Sequence, residues 1–474
     1  MKEQQPNVIF VFADQLRLQS VGYAGDSKAR TPNIDKFAKE SLDFRQAVVS
    51  HPVCSAMRAS LFTGKYTSST GMVINELRMN PNHECVAHVL TREGYSTAYI
   101  GKWHLYANEL GNHYDAKNSF TPPGPHRLGF DGYWASYGFH HVYYDAYYHE
   151  NTPDKIPYGE NNEEIYEPDA QTDMAMDQLE KFERSGEKFC MILSYGTPHD
   201  PWMPWNVPDE YFNMFKDVSF PQTPSYSDEL DPYGDAWSNI DKSPKQIEEW
   251  MRVYYAMTTN LDWNFGRLVK KIDELGLGDD TIIIFTSDHG ECFGAHGRMK
   301  KNIFYEEACR IPFLMRWPGH VPSGEVTDAL LNTPDIMPTL LGLVGAPIPK
   351  EVEGSDLSSI ALGKDEEGPK AAFLMNTGAC AAWEDGHEWR ALRDKRYIYA
   401  VYKKDGAELL FDNVEDPYQK KNLVKDSMHQ DQLERFRKML KEKMDQLNDS
   451  FPKSTWYREN WIENREIKRT ATLK

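Results

Sequence analysis

Cysteine is scarce in this chain, with six in 474 residues and no C-x-x-C pair among them. Such sparse spacing argues against a disulfide scaffold and against a structural zinc site. Positive charge is also short: 53 Lys and Arg face 72 Asp and Glu, for a net charge of −19. A nucleic-acid binder needs a basic face that this balance does not supply, so no nucleic-acid partner is expected. Nor is there a run of ~18 apolar residues, so no membrane span is expected. The polar start from Met1 to Pro6 lacks the parts of a secretory signal, which predicts a cytoplasmic protein, or a periplasmic one if a leader has been removed.

What is present is enough apolar side chain, 40% of residues, for a large core. Four short runs, Val8–Ala13, Ser96–Ile100, Phe189–Tyr195 and Thr281–Thr286, are apolar without alternation, the pattern of strands buried on both faces of a parallel sheet. Helical periodicity appears between them at about 34–41, 174–182 and 247–275, so the strands alternate with helices and the fold class is α/β. The texture changes near Ser355. Shorter strand-like runs follow at Ala371–Met375, Arg396–Tyr402 and Glu408–Asp412, then a charged amphipathic helix at about 428–447. This predicts a catalytic α/β domain over 1–354 and a smaller α+β domain over 355–474.

Chemistry-bearing residues follow each of the four strands: Asp14-Gln15, Lys102-Trp103-His104, Pro198-His199-Asp200 and Asp288-His289. Ligands of open α/β sheets bind beyond the carboxyl ends of the strands, so four such deliveries to one edge predict a site there. Any one of these residues alone is better explained as a polar loop residue or cap. Asp14, Gln15, Asp288 and His289 offer two carboxylates, an amide oxygen and an imidazole, a plausible set for one divalent cation. Arg58, Lys102 and Lys301 would place positive charge at the same edge for an anionic substrate. The segment Cys54-Ser55-Ala56-Met57-Arg58 runs on to Thr63-Gly64 as a helix-like stretch, and on its own would be explained by a buried structural cysteine.

The Cys54–Gly64 segment resembles the signature of the formylglycine-dependent sulfatases, C-x-(P/A)-x-R followed by x4-T-G. The other motifs fall in that family's order: Asp14-Gln15, Gly101-Lys102-Trp103-His104-Leu105, Pro198-His199, Ser287-Asp288-His289-Gly290-Glu291, Tyr305-Glu306-Glu307 and Thr333-Pro334-Asp335. The resemblance implies an alkaline-phosphatase-like sandwich around a large, mostly parallel sheet. It further implies sulfate-ester hydrolysis, a Cys54 oxidised to formylglycine by a maturase partner, and a cation held by Asp14, Gln15, Asp288, His289 and the converted Cys54. Ca²⁺ is the family majority, and Mn²⁺ is the alternative because of Gln15 and His289. By position, Arg58 and Lys102 would brace the aldehyde hydrate and His104 would take a proton from it. His199 and Lys301 would contact sulfate and the leaving oxygen, Lys301 being favoured over Lys300 by spacing. Three residues depart from the common pattern: Ala56 for proline, Gln15 for aspartate and His289 for asparagine. The Gln-plus-His pair is similar to the phosphonate monoester hydrolase branch, so phosphonate monoester or phosphodiester hydrolysis is the alternative to sulfatase action.

A sulfated sugar is the expected substrate. Three aromatic-rich stretches are candidates for holding it, His140–Glu150, Trp202–Trp205 and Trp383–Trp389 with His387 and Glu388. Each is equally well explained as ordinary core or domain interface.

Overall fold

A computed structural model describes residues 5–109, 115–159, 164–239, 243–364 and 367–473. Eight strands form the main sheet: β1 (Asn7–Ala13), β2 (Leu42–Val48), β3 (Ser96–Lys102), β4 (Tyr133–Tyr137), β5 (Phe189–Ser194), β6 (Thr281–Ser287), β7 (Phe313–Arg316) and β8 (Glu325–Asn332). Their order across the sheet is β8-β2-β7-β6-β1-β5-β3-β4. Every pairing is parallel except those of β7, which runs antiparallel to both β2 and β6.

Six helices matter for the argument: α1 (Pro32–Ala38), α2 (Cys54–Thr63), α3 (Glu167–Ser185), α4 (Pro244–Glu274), α5 (Thr333–Leu343) and α6 (Gln430–Gln446). Alternate residues of β1 explain why helices cover both faces. Val8, Phe10 and Phe12 pack with Met57, Leu61 and Phe62 of α2 and with Ile336 and Leu340 of α5. Ile9 and Val11 point the other way, toward Ile34 and Phe37 of α1, Leu179 of α3 and Phe265 of α4.

A second, antiparallel sheet holds β9 (Ala372–Asn376), β10 (Trp389–Arg393), β11 (Tyr397–Tyr402) and β12 (Glu408–Asp412) in that order. One face carries Phe373, Leu392 and Leu410 against Leu433 and Phe436 of α6. The other places Leu374, Trp389 and Ala400 against Val48, Ile303 and Phe304 of the larger part. The small sheet is therefore built into the larger core on one side. No helix of the described residues is long and apolar enough to cross a membrane.

Candidate active site

Strand register sets the site. Ala13 of β1 pairs with Ser287 of β6, so Asp14 and Asp288 emerge side by side beyond the same sheet edge. Gly101 of β3 pairs with Ser194 of β5, and a Cβ at Gly101 would sit 2.1 Å from the Ser194 carbonyl oxygen. Only glycine allows β3 to continue there to Lys102, which is the last strand residue. Cys54 is the first residue of α2, and Arg58 lies one turn further on. The helix closes at Gly64, whose φ of +65° is the left-handed cap that glycine tolerates.

These elements bring Asp14, Gln15, Cys54, Arg58, Lys102, His199, Asp288, His289 and Lys301 together. Cys54 Sγ is 3.2 Å from His289 Nε2, 3.2 Å from Lys301 Nζ, 3.7 Å from Asp14 Oδ1 and 3.9 Å from Lys102 Nζ. Arg58 reaches between the acids, with one terminal nitrogen 3.5 Å from Asp14 and 3.3 Å from Asp288. Its other terminal nitrogen donates to the Lys102 carbonyl at 2.6 Å and to Ser194 Oγ at 2.7 Å. Lys102 is paired directly with Asp14. Lys301 Nζ also donates to Gln15 Oε1 at 3.1 Å and lies 2.9 Å from His199 Nε2.

The charges decide which groups carry protons. Burial, with the neighbouring Asp14, pushes the Cys54 thiol up to about 11, so an unmodified Cys54 is no thiolate at neutral pH. Burial opposes ionisation of Asp14, but Lys102 and Lys301 outweigh it and hold its carboxyl well below the usual range. Burial and the adjacent Asp14 raise Asp288 to about 6 in the absence of a cation. His104 and His289 are kept neutral chiefly by burial, helped by Lys102 and Lys301 respectively. Burial and Lys301 likewise hold His199 neutral. His199 Nδ1 lies 2.9 Å from the Asp200 carbonyl, to which it donates, leaving Nε2 to accept from the Lys301 ammonium.

The donor set fits one divalent cation. Ligating atoms of Asp14, Cys54, Asp288 and His289 all lie within 4.8 Å of one another and are buried. His289 Nδ1 donates to the Gly290 carbonyl at 3.0 Å, so Nε2 turns its lone pair to the cluster. Gln15 Nε2 donates to Glu291 Oε2 at 2.6 Å, which turns the amide oxygen inward. Glu291 is quoted in a motif above, but its role in aiming Gln15 was not foreseen.

A cavity of about 410 Å³ opens above Cys54, within the usual range for small-molecule sites. Its walls include Asn75, Phe139, His141, Asp235, Trp237, Ala379–Ala382 and Glu384, none of which were singled out individually. Two of the aromatic-rich stretches touch this wall, and of His140–Glu150 His141 alone lines the cavity. His140 is buried against Glu167, and Tyr143 Oη donates to the Gly196 and His199 carbonyls. The Trp202–Trp205 stretch also misses: Trp202 packs in the core on Phe293 and Tyr254, and Trp205 is outside the cavity. The Trp383–Trp389 expectation needs correction too. Trp389 is a fully buried strand residue donating to the Asn302 carbonyl, Glu388 caps Ser454, and His387 Nδ1 meets the Tyr233 carbonyl. Burial of these groups leaves Glu384, inside the same stretch, as its member at the cavity.

The profile of the family described as Sulfatase matches residues 6–346, and one described as N-sulphoglucosamine sulphohydrolase, C-terminal matches 294–449. The chain is 35% identical over 456 residues to the ulvan-active sulfatase of Formosa agariphila, covering 96% of this chain and 84% of that protein. It is 30% identical over 470 residues to the endo-4-O-sulfatase of Bacteroides thetaiotaomicron, covering 89% of each. The solved yidJ structure from Bacteroides fragilis superposes with a TM-score of 0.81 at 28% identity, covering 96% of this chain and 99% of that one.

Proposed function

The chain belongs to the sulfatase family and is a sulfuric ester hydrolase, and from that premise we propose that it releases inorganic sulfate from a sulfated carbohydrate at Cys54. The observation that carries the reading is the convergence of Asp14, Gln15, Cys54, Arg58, Lys102, Asp288, His289 and Lys301 on one buried point above the sheet edge. Two relatives whose names specify ulvan and 4-O-sulfate support a sugar substrate over an aryl ester. Sulfate-ester hydrolysis is favoured over phosphonate hydrolysis on the same ground.

Asp14, Gln15, Asp288, His289 and the converted Cys54 would hold the cation, Ca²⁺ as the first choice and Mn²⁺ as the second because of the imidazole. When bound, it supplies Lewis-acid polarisation of a sulfate oxygen and a lowered pKa for a hydroxyl beside it. Formylglycine at position 54, once hydrated, supplies that hydroxyl together with a second one on the same carbon. Both can be supplied only if the maturase meets Cys54 before folding is complete, because the residue is 1% exposed.

The chain's own groups divide the remaining work. Arg58 fixes Asp14 and Asp288 in place and, with Lys102, keeps positive charge against the sulfate. His104 is neutral, stacked on Phe139 at 4.3 Å, and neither of its ring nitrogens has a partner among the described residues, so it is free to accept a proton from the second hydroxyl. Lys301 Nζ holds the proton for the leaving oxygen, and His199, anchored through Nδ1, aims it. We divide the chain at 354/355, the second part contributing the cavity wall at 379–384. The test pairs mass spectrometry of the Cys54 peptide with turnover of aryl and sugar sulfates. Activity is expected to rise in proportion to the converted fraction and to vanish in Cys54→Ala, and full activity with an intact thiol would refute the assignment.

A further inference from the structure

The cavity is chemically divided. Its floor holds Cys54, His104 and His199 with Lys102 and Lys301, and these two lysines are the only Lys or Arg among its described lining residues. Both are committed to the sulfate end, since each lies within 3.9 Å of Cys54 Sγ. The walls further out are neutral or acidic. Ala379–Ala382 form a side of small residues, anchored by the Asn75 amide donating to the Cys380 carbonyl at 2.9 Å and by Asp235 accepting from the Cys380 amide at 3.2 Å. His141 lies face to face with His199 at 4.0 Å and 5°, and its Nδ1 is buried without a partner. Burial, helped by Lys102, holds it neutral, so it adds no positive charge. Asp200 is compensated by Lys300 at 2.7 Å, whereas Glu384 at the rim is 54% exposed and, among the described residues, has His387 at 3.6 Å as its one ion-pair partner.

A leaving sugar with a carboxylate or a second sulfate would therefore enter beside carboxylates and find no uncommitted cation among the described lining residues. We propose that the leaving-group half of this cavity, bounded by His141, Trp237, Ala379–Ala382 and Glu384, takes an uncharged sugar residue and discriminates against uronates and doubly sulfated sugars. The inference rests on the carbohydrate-sulfatase reading above and adds the charge class of the sugar. Small side chains and a free imidazole nitrogen suit hydroxyl and ring C–H contacts, and Glu384 accepts hydroxyl hydrogen bonds while repelling anions.

The test uses protein with verified Cys54 conversion and matched pairs of monosaccharide sulfates that differ only at C6, hexose against hexuronate, with the sulfate at O2, O3 or O4. The kcat/KM for the hexose member is expected to exceed that for its hexuronate partner by about tenfold or more. Glu384→Lys should shift the hexuronate-to-hexose ratio upward by about tenfold, and Glu384→Gln should shift it by less in the same direction. Turnover of both members with the hexuronate equal or preferred overturns the charge assignment and leaves the carbohydrate reading standing. Turnover of an aryl sulfate with no member of any pair accepted overturns both.

Discussion

Glu291 shows how one residue can choose the donor atom of another. Its Oε1 accepts from the Phe293 amide at 3.0 Å and the Lys300 amide at 2.6 Å, which fixes the carboxylate in place. Its Oε2 then takes the Gln15 Nε2 hydrogen, so the Gln15 oxygen must face the cation cluster. An amide at position 291 would keep its oxygen for the two backbone amides and turn its own NH₂ toward residue 15. The Gln15 side chain would flip and present nitrogen to the cation. Glu291→Gln is therefore expected to lower divalent-cation affinity by about 10–100-fold, read by calorimetric titration of metal-free protein. Unchanged affinity would show that Gln15 is aimed by something else. At this scale the sequence was informative about which side chains meet, because the motif order places them. It was silent about the roles of Glu291 and His141, which depend on hydrogen-bond direction and stacking that no spacing encodes.

Within elements, the first turn of α3 sets a local preference against a stronger global one. An acid at a helix N-terminus is ordinarily favoured by the helix dipole. Glu167 is the first residue of α3, yet it is fully buried beneath β4, where it accepts from Tyr137 Oη at 2.7 Å. Burial dominates that hydrogen bond and raises its pKa from 4.5 to about 8. The native state thus binds this proton more tightly than the unfolded state, so stability falls as pH rises from about 4.5 to 8. The slope for one such group is at most about 1.4 kcal/mol per pH unit. Glu167→Gln is expected to flatten that part of the profile, so denaturant unfolding should find the variant gaining on wild type from pH 5 to pH 8. A constant difference across that range would mean that Glu167 is ionised in both states. Elements such as the four central strands were legible because burial on both faces leaves an uninterrupted apolar run. Strand β10 is missing from the runs the sequence suggests because Arg390 and Arg393 interrupt its apolar pattern. In the fold Arg390 pairs with Asp449, and Arg393 with Glu306, which is what lets them be buried.

Across the whole molecule, that last pair joins the two sheets. Arg393 at the end of β10 meets both oxygens of Glu306, at 2.6 and 2.9 Å, and also donates to Gln46 of β2 at 2.8 Å. Glu306 lies five residues after Lys301, and Asn302 between them donates to the Gly378 carbonyl and accepts from Trp389 Nε1. The second sheet therefore grips the segment that carries the proposed proton donor and, through 379–384, also walls its cavity. This arrangement explains why the two-part texture of the sequence does not translate into two independent bodies. The apolar face of the small sheet that a composition change cannot reveal is spent against Val48, Ile303 and Phe304. Removing one partner of a buried ion pair leaves an uncompensated charge, a loss of about 3–5 kcal/mol, while replacing both with apolar groups is often neutral. Arg393→Met is expected to lower stability by about that amount in one cooperative transition, with the two sheets unfolding together. Adding Glu306→Leu should restore part of the loss, since Arg310, the other cation beside Glu306, keeps its bonds to the Arg45 carbonyl. Two separate transitions in calorimetry would show that the sheets unfold independently, and a double variant no more stable than Arg393→Met would show that the stranded charge is not the cause of the loss.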